Sequence, residues 1–487
     1  MKLGLLAAAA GLDAGAASDA QVTGFAIDHR KVAPGTVFGA FQGTVVNGEE
    51  FIPAAVSAGA IAVVARPEAK VERAVHIADP APRRAFARLA AQFFRPAPET
   101  IVAVTGTNGK TSTVEMTRQI WRMCGERAAS IGTLGVTTPD ESVSTGLTTP
   151  DIVTFLSNMA GLAREGVTHV AYEASSHGLS QYRNEGLAVA AGAFTNLSRD
   201  HLDYHADMED YFAAKMRLFG EVVSDGGAAV VWADDEWSGR VLKRVRQRGL
   251  RLFTVGEHGE DIRLLGCEPT HLGQELEIEI AGENKVIMLP LIGAYQVANA
   301  LTAAGLVLAT GGEPARILDG LGRLQPVRGR LERAAITAGG APVYVDYAHT
   351  PDALGAAIEA LRPHVEGRLI TVFGAGGDRD RGKRAPMGAV AADLSDVVIV
   401  TDDNPRGEDP AAIRAALLEG AGPQAQEIGD RRAAIAAAIA EAGRDDIVLI
   451  AGKGHEQGQI VGTGAEMRVL PFDDVTVARE CAGEQGA

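Results

Sequence analysis

Cysteine is scarce in this 487-residue chain, and its three cysteines, Cys124, Cys267 and Cys481, lie far apart. No two of them have the Cys-x-x-Cys spacing of a zinc or redox site, and three isolated cysteines make no disulfide framework. The sequence therefore excludes a small disulfide-stabilised scaffold and favours a reducing compartment, the cytoplasm.

Long apolar runs and an excess of positive charge are also missing. The alanine-rich N-terminal stretch is short and soon reaches Asp13, so we interpret it as a first amphipathic helix and not as a signal peptide. No run approaches the ~18 apolar residues that a bilayer span needs, so we expect a soluble protein without a membrane partner. The formal net charge of −16 argues against nucleic-acid binding, although a locally basic cleft can still hold nucleotides.

Aromatic residues make up only 5% of the chain, but 46% of the residues are hydrophobic, which predicts packed cores and roughly three domains for this length. Short apolar strands alternate with helices, and breaks at 95–98 and 325–329 divide the chain into segments 1–98, 99–327 and 328–487. Such alternation predicts an α/β fold with mostly parallel sheets. Ligands of these sheets bind at the carboxyl ends of the strands.

The sequence Thr-Gly-Thr-Asn-Gly-Lys-Thr at 105–111 follows the apolar run 101–104 and precedes a helical pattern. Strand, glycine loop and helix in this order predict a phosphate-binding loop. Gly106 and Gly109 let backbone N–H groups face an anion, Lys110 adds a cation, and Thr111 offers a hydroxyl to Mg²⁺. The alternative is a glycine-rich turn with an exposed lysine. The loop is shorter than the common GxxxxGK[ST] form.

Two further residues at predicted strand ends could bind metal. Glu173 ends a strand at 168–172, where a carboxylate can coordinate Mg²⁺, but it could equally be the acidic residue at a helix N-terminus. His201 belongs to a stretch with Asp203 and His205 that superficially suggests zinc. We favour His201 as a metal-site residue and His205 as a structural one.

Lys215 lies four residues from both Tyr211 and Phe219, which puts it on the apolar stripe of its predicted helix. Burial would disfavour the ammonium and leave a reactive neutral amine. The alternative is a lysine that buries only its aliphatic stem, and the spacing alone slightly favours that alternative.

Together these motifs (GTNGKT at 106–111, Glu-Ala-Ser-Ser-His-Gly at 173–178, Asp-His-Leu-Asp-Tyr-His at 200–205 and the helix of Lys215) resemble the Mur ligases of peptidoglycan synthesis. The resemblance spans nearly the whole chain. It implies three domains: an N-terminal UDP-binding domain, a central P-loop ATPase-type parallel sheet and a C-terminal Rossmann-like domain that binds the amino acid. It also implies a monomer that uses ATP and Mg²⁺.

The resemblance gives roles to individual residues. Those implied to bind ATP are Gly106, Thr107, Asn108, Gly109, Lys110, Thr111, Ser112, Asn299, Arg330 and Asp346. Those implied to hold metal are Thr111, Glu173, His201 and Lys215, the lysine as a carbamate, and the catalytic set is Lys110, Lys215 and His201. Those implied to contact the UDP-linked substrate are Asp28, Arg30, Thr148, Thr149, Ser175, Gln181 and Arg183.

Three loops after predicted strands are implied to select the amino acid. Their residues are Arg379, Asp403, Asn404, Pro405, Arg406, Gly452 and Glu456. Asp-Asn-Pro-Arg at 403–406 resembles the family members that add diaminopimelate, whereas the lysine-adding type lacks this arginine. Arg406 can grip the distal carboxylate of meso-diaminopimelate bidentately, and Glu456 can pair with the distal ammonium. Lysine would leave Arg406 unmatched. In isolation, Arg406 would be a solvated loop arginine.

The implied reaction is ATP-dependent ligation of meso-diaminopimelate to UDP-MurNAc-L-Ala-D-Glu through an acyl phosphate, and three substrates on three domains imply domain closure. Two positions depart from the family pattern: His29 occupies the position of a serine, and Gln296 occupies that of an asparagine.

Folylpolyglutamate synthase is a rival interpretation, but that enzyme has no reason to carry a UDP-type domain. A GTPase switch is disfavoured because the guanine-reading Asn-Lys-x-Asp is missing, and an inactive scaffold because Lys110, Glu173, His201 and Lys215 are intact.

Overall fold

The computed structural model describes residues 1–13, 15, 18–43, 46–138, 142–143, 148–202, 204–270 and 273–483. The chain forms two compact units, residues 1–261 with 302–317 and residues 262–301 with 318–487. In the described part of the chain, no helix combines the length and the apolar content that crossing a membrane requires.

The first unit begins with a small parallel sheet in the order β1-β2-β3-β4, covered by helices. Its elements are α1 (Leu3–Ala10), β1 (Gly24–Ala26), β2 (Thr36–Gly39), α2 (Ile52–Ser57), β3 (Ala60–Ala65), β4 (Val75–Ala78) and α3 (Pro82–Phe93). The apolar run at 60–65 predicts a strand, and β3 has these ends. Its alanines and valines are buried because α2 and α3 cover the sheet.

A second, larger sheet follows in the same unit. Its elements are β5 (Thr100–Thr105), α4 (Lys110–Met123), β6 (Ala128–Gly132), β7 (Gly135–Thr137), β8 (Ser142–Val143), α5 (Ile152–Arg164), β9 (His169–Glu173), α6 (Ser176–Ser180), β10 (Val189–Phe194), α7 (Met208–Arg217), β11 (Val223–Trp232), α8 (Ser238–Arg248) and β12 (Arg251–Gly256). The strand order is β12-β11-β10-β5-β9-β6-β7-β8, and all but β7 and β8 run parallel.

The sequence predicts a β-rich insertion between about 261 and 291. The chain continues there with three antiparallel strands, followed by two helices. These elements are β13 (Ile262–Thr270), β14 (Gly273–Ile280), β15 (Glu283–Leu289), α9 (Ala294–Ala309) and α10 (Pro314–Leu321). Strand β14 pairs with β13 on one side and β15 on the other. Its alternating pattern Leu-Glu-Ile-Glu-Ile buries the leucine and isoleucines on one face.

The second unit also contains a six-stranded sheet in the order β16-β17-β21-β18-β19-β20, in which only β16 is antiparallel. Its elements are β16 (Glu332–Ile336), β17 (Pro342–Asp346), α11 (Pro351–Leu361), β18 (Leu369–Phe373), α12 (Arg384–Leu394), β19 (Val397–Val400), α13 (Pro410–Ala421), β20 (Gln426–Glu427), α14 (Arg431–Glu441), β21 (Ile447–Ala451), β22 (Gly458–Val461), β23 (Arg468–Pro471) and α15 (Asp474–Ala482).

Register brings the predicted motifs to one edge of each parallel sheet. In the first unit, Thr105 at the end of β5 pairs with Phe194 at the end of β10, and Val104 pairs with Glu173. In the second unit, Ala451 at the end of β21 pairs with Asp346 and with Phe373. The predicted α/β fold with parallel sheets is confirmed, whereas the segment boundaries at 98 and 327 stay predictions.

Candidate active site

The predicted phosphate loop lies between the carboxyl end of β5 and the first turn of α4. Gly106 and Gly109 have φ values of 155° and 82°, which residues with a side chain rarely adopt. A Cβ on Gly106 would collide with the Thr195 hydroxyl. Lys110 Nζ donates to Gly106 O at 3.0 Å and to Thr107 O at 2.7 Å. The ammonium group is thus held within the loop, where a phosphate would gain both charge and N–H donors.

The segment after β10 anchors this loop. Asn108 N donates to Asn196 Oδ1 at 2.8 Å, and Thr195 Oγ1 donates to Asn108 O at 2.6 Å. Ser198 N donates to Thr107 Oγ1 at 3.0 Å. Hydrogen bonds to the segment 195–198 therefore fix the conformation of the phosphate loop. Ser112, the last predicted ATP residue of the motif, is buried in α4.

Glu173 ends β9 directly beside the loop. Its Oε1 accepts hydrogen bonds from Thr111 Oγ1 at 2.9 Å and from Thr133 N at 2.7 Å, and the residue is 2% exposed. Because Ser175, and not Glu173, caps helix α6, the alternative of a helix N-terminal acid is wrong. A hydroxyl and a carboxylate are the oxygen donors that Mg²⁺ prefers, so these two residues fit that ion.

Lys215 is buried in α7, at 1% exposure, so the alternative in which only its stem is buried is wrong. Its Nζ donates to Gly106 O at 2.7 Å and lies 4.2 Å from the centroid of the Tyr211 ring. Burial, and next the positive charge of Lys110, hold the pKa of Lys215 well below its usual value. A neutral amine against the phosphate loop is the form that can react with carbon dioxide to give a carbamate.

His201 lies close to the same tyrosine. Its ring centroid is 6.0 Å from that of Tyr211 and 5.1 Å from that of His177, and Nε2 is 3.6 Å from Asp200 Oδ2. Tyr211 therefore touches both His201 and Lys215.

No group of three or more His, Cys, Asp or Glu side chains arranged to hold a metal occurs among the residues that the structure describes, from which Asp203 is missing. His201 and Glu173 are not joined in such a group. Thr111 and Glu173 are in direct contact, and their role in holding a metal ion stays a prediction, as do the roles of His201 and of a Lys215 carbamate. His205 is buried, and its Nδ1 lies 3.1 Å from Asp210 Oδ2.

The residues expected to contact the UDP-linked substrate in the middle segment lie together. Thr149 Oγ1 donates to Glu173 O at 2.9 Å and lies 2.9 Å from Ser175 Oγ. Arg183 donates to Thr149 O at 3.0 Å and to Gln181 Oε1 at 2.7 Å. Thr148 Oγ1 lies 3.1 Å from Thr133 Oγ1, which donates to the side-chain carboxylate of Glu173 at Oε2, 3.2 Å away. A continuous set of hydrogen bonds thus links these residues to the phosphate loop.

Asp28 and Arg30 of the N-terminal segment mainly bind each other. The Asp28 carboxylate accepts the Arg30 Nε at 2.9 Å and Nη2 at 2.8 Å, and these bonds lower the pKa of Asp28 to about 2. His29, which stands where the family pattern has serine, stacks on Phe51 with ring centroids 4.4 Å apart. The imidazole is therefore accommodated by an aromatic neighbour.

In the second unit, the residues expected to bind the nucleotide surround Asp346 at the end of β17. Its Oδ2 accepts Leu331 N at 2.7 Å and the Tyr295 hydroxyl at 3.4 Å. Burial raises the pKa of Asp346, and the charge of Arg330 opposes that rise. The Arg330 guanidinium lies 4.7 Å from the centroid of the Tyr347 ring. The Asp346 carboxylate and the Arg330 guanidinium are thus held close enough for their charges to interact.

Gln296, the second departure from the family pattern, has a defined role in this cluster. Its Nε2 donates to Arg330 O at 3.0 Å, and its Oε1 accepts Asn299 Nδ2 at 3.3 Å. The glutamine therefore joins two of the residues expected to bind ATP.

The three loops expected to select the amino acid also meet. Asn404 Nδ2 donates to Glu456 Oε2 at 2.7 Å, and its Oδ1 accepts Lys453 Nζ at 2.9 Å. Lys453 is fully buried, with Nζ 3.8 Å from Asp403 Oδ1. Gly452 has a φ of 118°, and a Cβ there would lie 2.6 Å from Asp403 Oδ2. Asp403, Asn404, Gly452 and Glu456 are therefore brought together as predicted from the sequence.

Arg406 is half-buried beside them. Its backbone has a φ of 50°, its N donates to Ile460 O at 3.0 Å, and its Nη1 donates to Gly377 O at 2.8 Å. A Cβ on Gly377 would collide with Pro405 O, so the loop after β18 lies directly against 405–406. Arg379 of that loop is exposed and has no hydrogen-bond or ion-pair partner among the described residues.

Glu408 fixes the two loops to each other. Its carboxylate accepts Arg384 Nη2 at 2.8 Å and Asp378 N at 2.7 Å. The bond from Arg384 is the largest cause that lowers the pKa of Glu408 to about 2. Arg406 and Arg379 thus project from a braced pair of loops.

The sequence did not reveal Thr133, Tyr347 or Lys453 as site residues. Thr133 holds Glu173 from 40 positions away, which no local pattern predicts. Tyr347 and Lys453 lie within the motifs that carry Asp346 and Glu456, and an ionisable residue directly after the apolar strand β21 could have pointed to Lys453.

Three family models match successive segments: "Mur ligase family, catalytic domain" at 21–94, "Mur ligase middle domain" at 104–307 and "Mur ligase, glutamate ligase domain" at 329–454.

Similar proteins cover almost the whole chain. The UDP-N-acetylmuramoyl-L-alanyl-D-glutamate–2,6-diaminopimelate ligase of Zymomonas mobilis subsp. mobilis is 61% identical over 98% of both chains. A solved structure of a ligase with that name has a TM-score of 0.73 and 32% identity, covering 99% of both chains.

A folylpolyglutamate synthase of Mycobacterium tuberculosis, covering 84% of this chain and 96% of its own, has a TM-score of 0.65 at 20% identity; that likeness shows the fold alone. From the three matched segments and the identity to curated relatives, the chain belongs to the Mur ligase family.

Proposed function

We propose that this protein is an ATP-dependent amide-forming ligase that adds meso-2,6-diaminopimelate to UDP-N-acetylmuramoyl-L-alanyl-D-glutamate. The observation that carries the proposal is the cluster at the ends of β18, β19 and β21. There the cation Arg406 and the carboxylate Glu456 are joined through Asn404 and Gly377. The distal carbon of diaminopimelate bears a carboxylate and an ammonium, which match this pair of charges.

The first chemical step takes place at the phosphate loop. Lys110 and the loop N–H groups bind the phosphates and offset the charge that grows as the γ-phosphoryl group moves. A carboxylate oxygen of the UDP-linked substrate attacks the γ-phosphorus, ADP leaves, and an acyl phosphate forms. The bonds from Arg183 through Thr149 to Glu173 support placing this carboxylate close to the phosphate loop.

The second step forms the amide. A neutral amine of meso-diaminopimelate attacks the carbonyl carbon of the acyl phosphate, and the bond from that carbon to the phosphate oxygen breaks. Inorganic phosphate leaves and takes up the proton that the amine loses. Arg406 and Glu456 hold the far end of the amino acid, so the reacting amine is positioned and not free to diffuse. Lysine lacks the distal carboxylate and would leave the Arg406 guanidinium without its partner.

Mg²⁺ is the metal that this donor set fits. Thr111 and Glu173 would hold it, together with His201 and the carbamate of Lys215. When bound, the ion neutralises phosphate oxygens and acts as a Lewis acid. The buried, low-pKa amine of Lys215 supports carbamylation, since only the neutral amine reacts with carbon dioxide.

We further propose that the enzyme acts as a monomer in the cytoplasm, on small-molecule substrates and without nucleic-acid or membrane partners. The net charge of −16 supports the absence of a nucleic-acid partner. The three free cysteines support a reducing compartment.

An amino-acid-dependent phosphate-release assay tests the function. Purified protein is given ATP, Mg²⁺ and UDP-N-acetylmuramoyl-L-alanyl-D-glutamate, and then either meso-diaminopimelate or lysine. We expect phosphate release with meso-diaminopimelate that exceeds release with lysine by about a hundredfold, because lysine leaves the half-buried Arg406 guanidinium without a partner. Equal release with both amino acids would overturn the specificity, and no release with either would overturn the ligase.

A further inference from the structure

A small cavity of the first unit joins residues of the N-terminal segment to residues of the middle segment. Its lining residues are Ile27, Phe41, Arg83, Asp151, Ile152, Gln181 and Arg183. Its volume of 60 Å³ has room for several water-sized groups, at roughly 10–15 Å³ each. Gln181 and Arg183 are expected to contact the UDP-linked substrate, whereas Arg83 lies outside every motif of the sequence.

Arg83 lies in the first turn of α3 and is held in place from two sides. Its guanidinium carbon is 4.9 Å from the centroid of the Phe41 ring, and Nη2 donates to Gln42 O at 3.0 Å. A guanidinium has five N–H donors, so most of the donors of Arg83 remain for a ligand. The side chain is thus both positioned and available.

Neither arginine of the cavity, Arg83 or Arg183, has a salt-bridged carboxylate among the described residues. Burial lowers the pKa of Arg183, and the charge of Asp151 opposes that shift from beyond salt-bridge distance. Asp151, the acid among the lining residues, uses Oδ1 to accept Val153 N at 3.0 Å and Oδ2 to accept Thr154 Oγ1 at 2.7 Å. Burial lowers the pKa of Arg83, and the charge of Arg183 lowers it further. A bound anion would raise the pKa of Arg83 and so offset both the burial and the repulsion from Arg183.

The neighbouring Arg84 shows the contrast. Its Nε is 3.3 Å from Glu185 Oε2 and its Nη1 is 3.5 Å from Glu221 Oε2. Among the described residues, two carboxylates thus pair with Arg84, which braces α3, and none pairs with Arg83, which lines the cavity. Two guanidinium groups that face one cavity without a salt bridge are typical of a site for a ligand with two adjacent negative groups.

We infer that Arg83 belongs to the substrate site and, together with Arg183, binds the diphosphate of a nucleoside-diphosphate sugar. The inference rests on the proposed function, and adds to it a binding residue on α3. Arg183 donates to Thr149 O, and the Thr149 hydroxyl donates to Glu173 O. A diphosphate bound by the two arginines thus leaves the far end of the substrate free to extend toward Glu173 and the phosphate loop.

The test compares the binding of UDP and of UMP by isothermal titration calorimetry, without ATP or amino acid. Wild type should bind UDP more tightly than UMP. Arg83→Gln should lose about tenfold or more of the UDP affinity and less of the UMP affinity, because it removes charge-assisted bonds to the second phosphate. Arg88→Gln, the same change at an exposed position of the same helix, should bind as wild type does. An unchanged preference for UDP in Arg83→Gln would overturn the inference.

A conservative variant guards against a folding defect. Arg83→Lys keeps the charge and should bind UDP more tightly than Arg83→Gln does; equal affinities would contradict a role of the charge. A wrong proposed function and a wrong role of Arg83 give different results. If the proposed function is wrong, wild type releases no phosphate with meso-diaminopimelate. If only the role of Arg83 is wrong, wild type releases phosphate with meso-diaminopimelate and Arg83→Gln keeps the wild-type KM for the UDP-linked substrate.

Discussion

Two cations of the second unit, Lys453 and Arg406, serve different purposes because their surroundings differ. Lys453 is fully buried and fixes the amide of Asn404. Arg406 is half-buried and uses Nη1 on Gly377 O, which leaves further donors for a substrate carboxylate. Lys453 therefore orients the site residues, and Arg406 is suited to bind the distal carboxylate of the amino acid.

Replacing Arg406 by alanine should weaken diaminopimelate binding selectively. Losing a charged hydrogen-bond pair costs about 1.5–3 kcal/mol, or roughly a tenfold to hundredfold rise in KM for meso-diaminopimelate, with KM for ATP unchanged. Steady-state kinetics of phosphate release measure both constants. Arg468→Ala, at an exposed position of β23, is the control, and wild-type KM values in Arg406→Ala would refute the role of this side chain.

His455 makes the stability of the second unit depend on pH. Burial, and next the charge of Arg330, lower its pKa from 6.5 to about 3. The unfolded chain takes up a proton near pH 6.5 while the folded chain does not, so stability is lost as pH falls from 6.5 toward 3.

Replacing His455 by asparagine should remove this dependence. Between pH 7 and pH 5 the histidine should lower the free energy of unfolding by about 2 kcal/mol relative to the variant. Urea unfolding of both proteins at the two pH values, followed through the transition of the second unit, gives the difference. A gap between wild type and His455→Asn that stays constant from pH 7 to pH 5 would contradict the buried neutral imidazole.

Among the elements, the turn from β5 to α4 depends most on glycine. Gly106→Ala places a Cβ against the Thr195 hydroxyl at a φ of 155°, so the loop must distort. We expect a loss of about 1–3 kcal/mol of stability and no measurable ATP binding by calorimetry. Gly161→Ala, inside α5 with nothing within 4 Å of the new Cβ, should instead gain roughly 0.5–1 kcal/mol. Full ATP affinity in Gly106→Ala would show that the loop does not hold the phosphates.

Most strands could be predicted because buried parallel strands are short apolar runs bounded by polar residues. The apolar runs at 60–65, 189–194 and 369–373 predict strands, and β3, β10 and β18 have these ends. The run at 228–232 predicts a strand that starts at Ala228, whereas β11 begins five positions earlier at Val223, and its pairing with β10 shifts register between Val223 and Ala228. The intervening Ser-Asp-Gly-Gly reads as a turn in the sequence.

Site residues could be predicted where they follow strands, and not where they are contributed by distant segments. Thr111 and Glu173 meet because β5 and β9 are neighbours, which the strand-end rule anticipates. The spacing of Lys215 in the sequence did not decide whether its ammonium group is buried. Periodicity indicates which face of a helix a residue occupies, and not how deeply that face is buried. Thr133 and Arg83 carry no motif, and only the folded chain brings them to the site.

For the whole molecule, charge is distributed by function. The net charge is −16, yet Lys110, Arg183 and Arg406 lie where anionic groups of ATP, the UDP-linked substrate and diaminopimelate are expected. Local cations can outweigh a distant negative surplus because screening in salt limits long-range repulsion to about 8–10 Å. We propose that Lys110 and Arg183, by binding ATP and the UDP-linked substrate, allow ATP to phosphorylate a substrate carboxylate.

Transfer of oxygen-18 tests that claim most directly. UDP-N-acetylmuramoyl-L-alanyl-D-glutamate labelled with oxygen-18 in the carboxylate that reacts is ligated to meso-diaminopimelate, and the released phosphate is analysed by mass spectrometry. The account predicts one labelled oxygen in each phosphate, because the bond between carbonyl carbon and phosphate oxygen breaks in the second step. Phosphate free of label, released together with the amide product, would contradict an acyl phosphate.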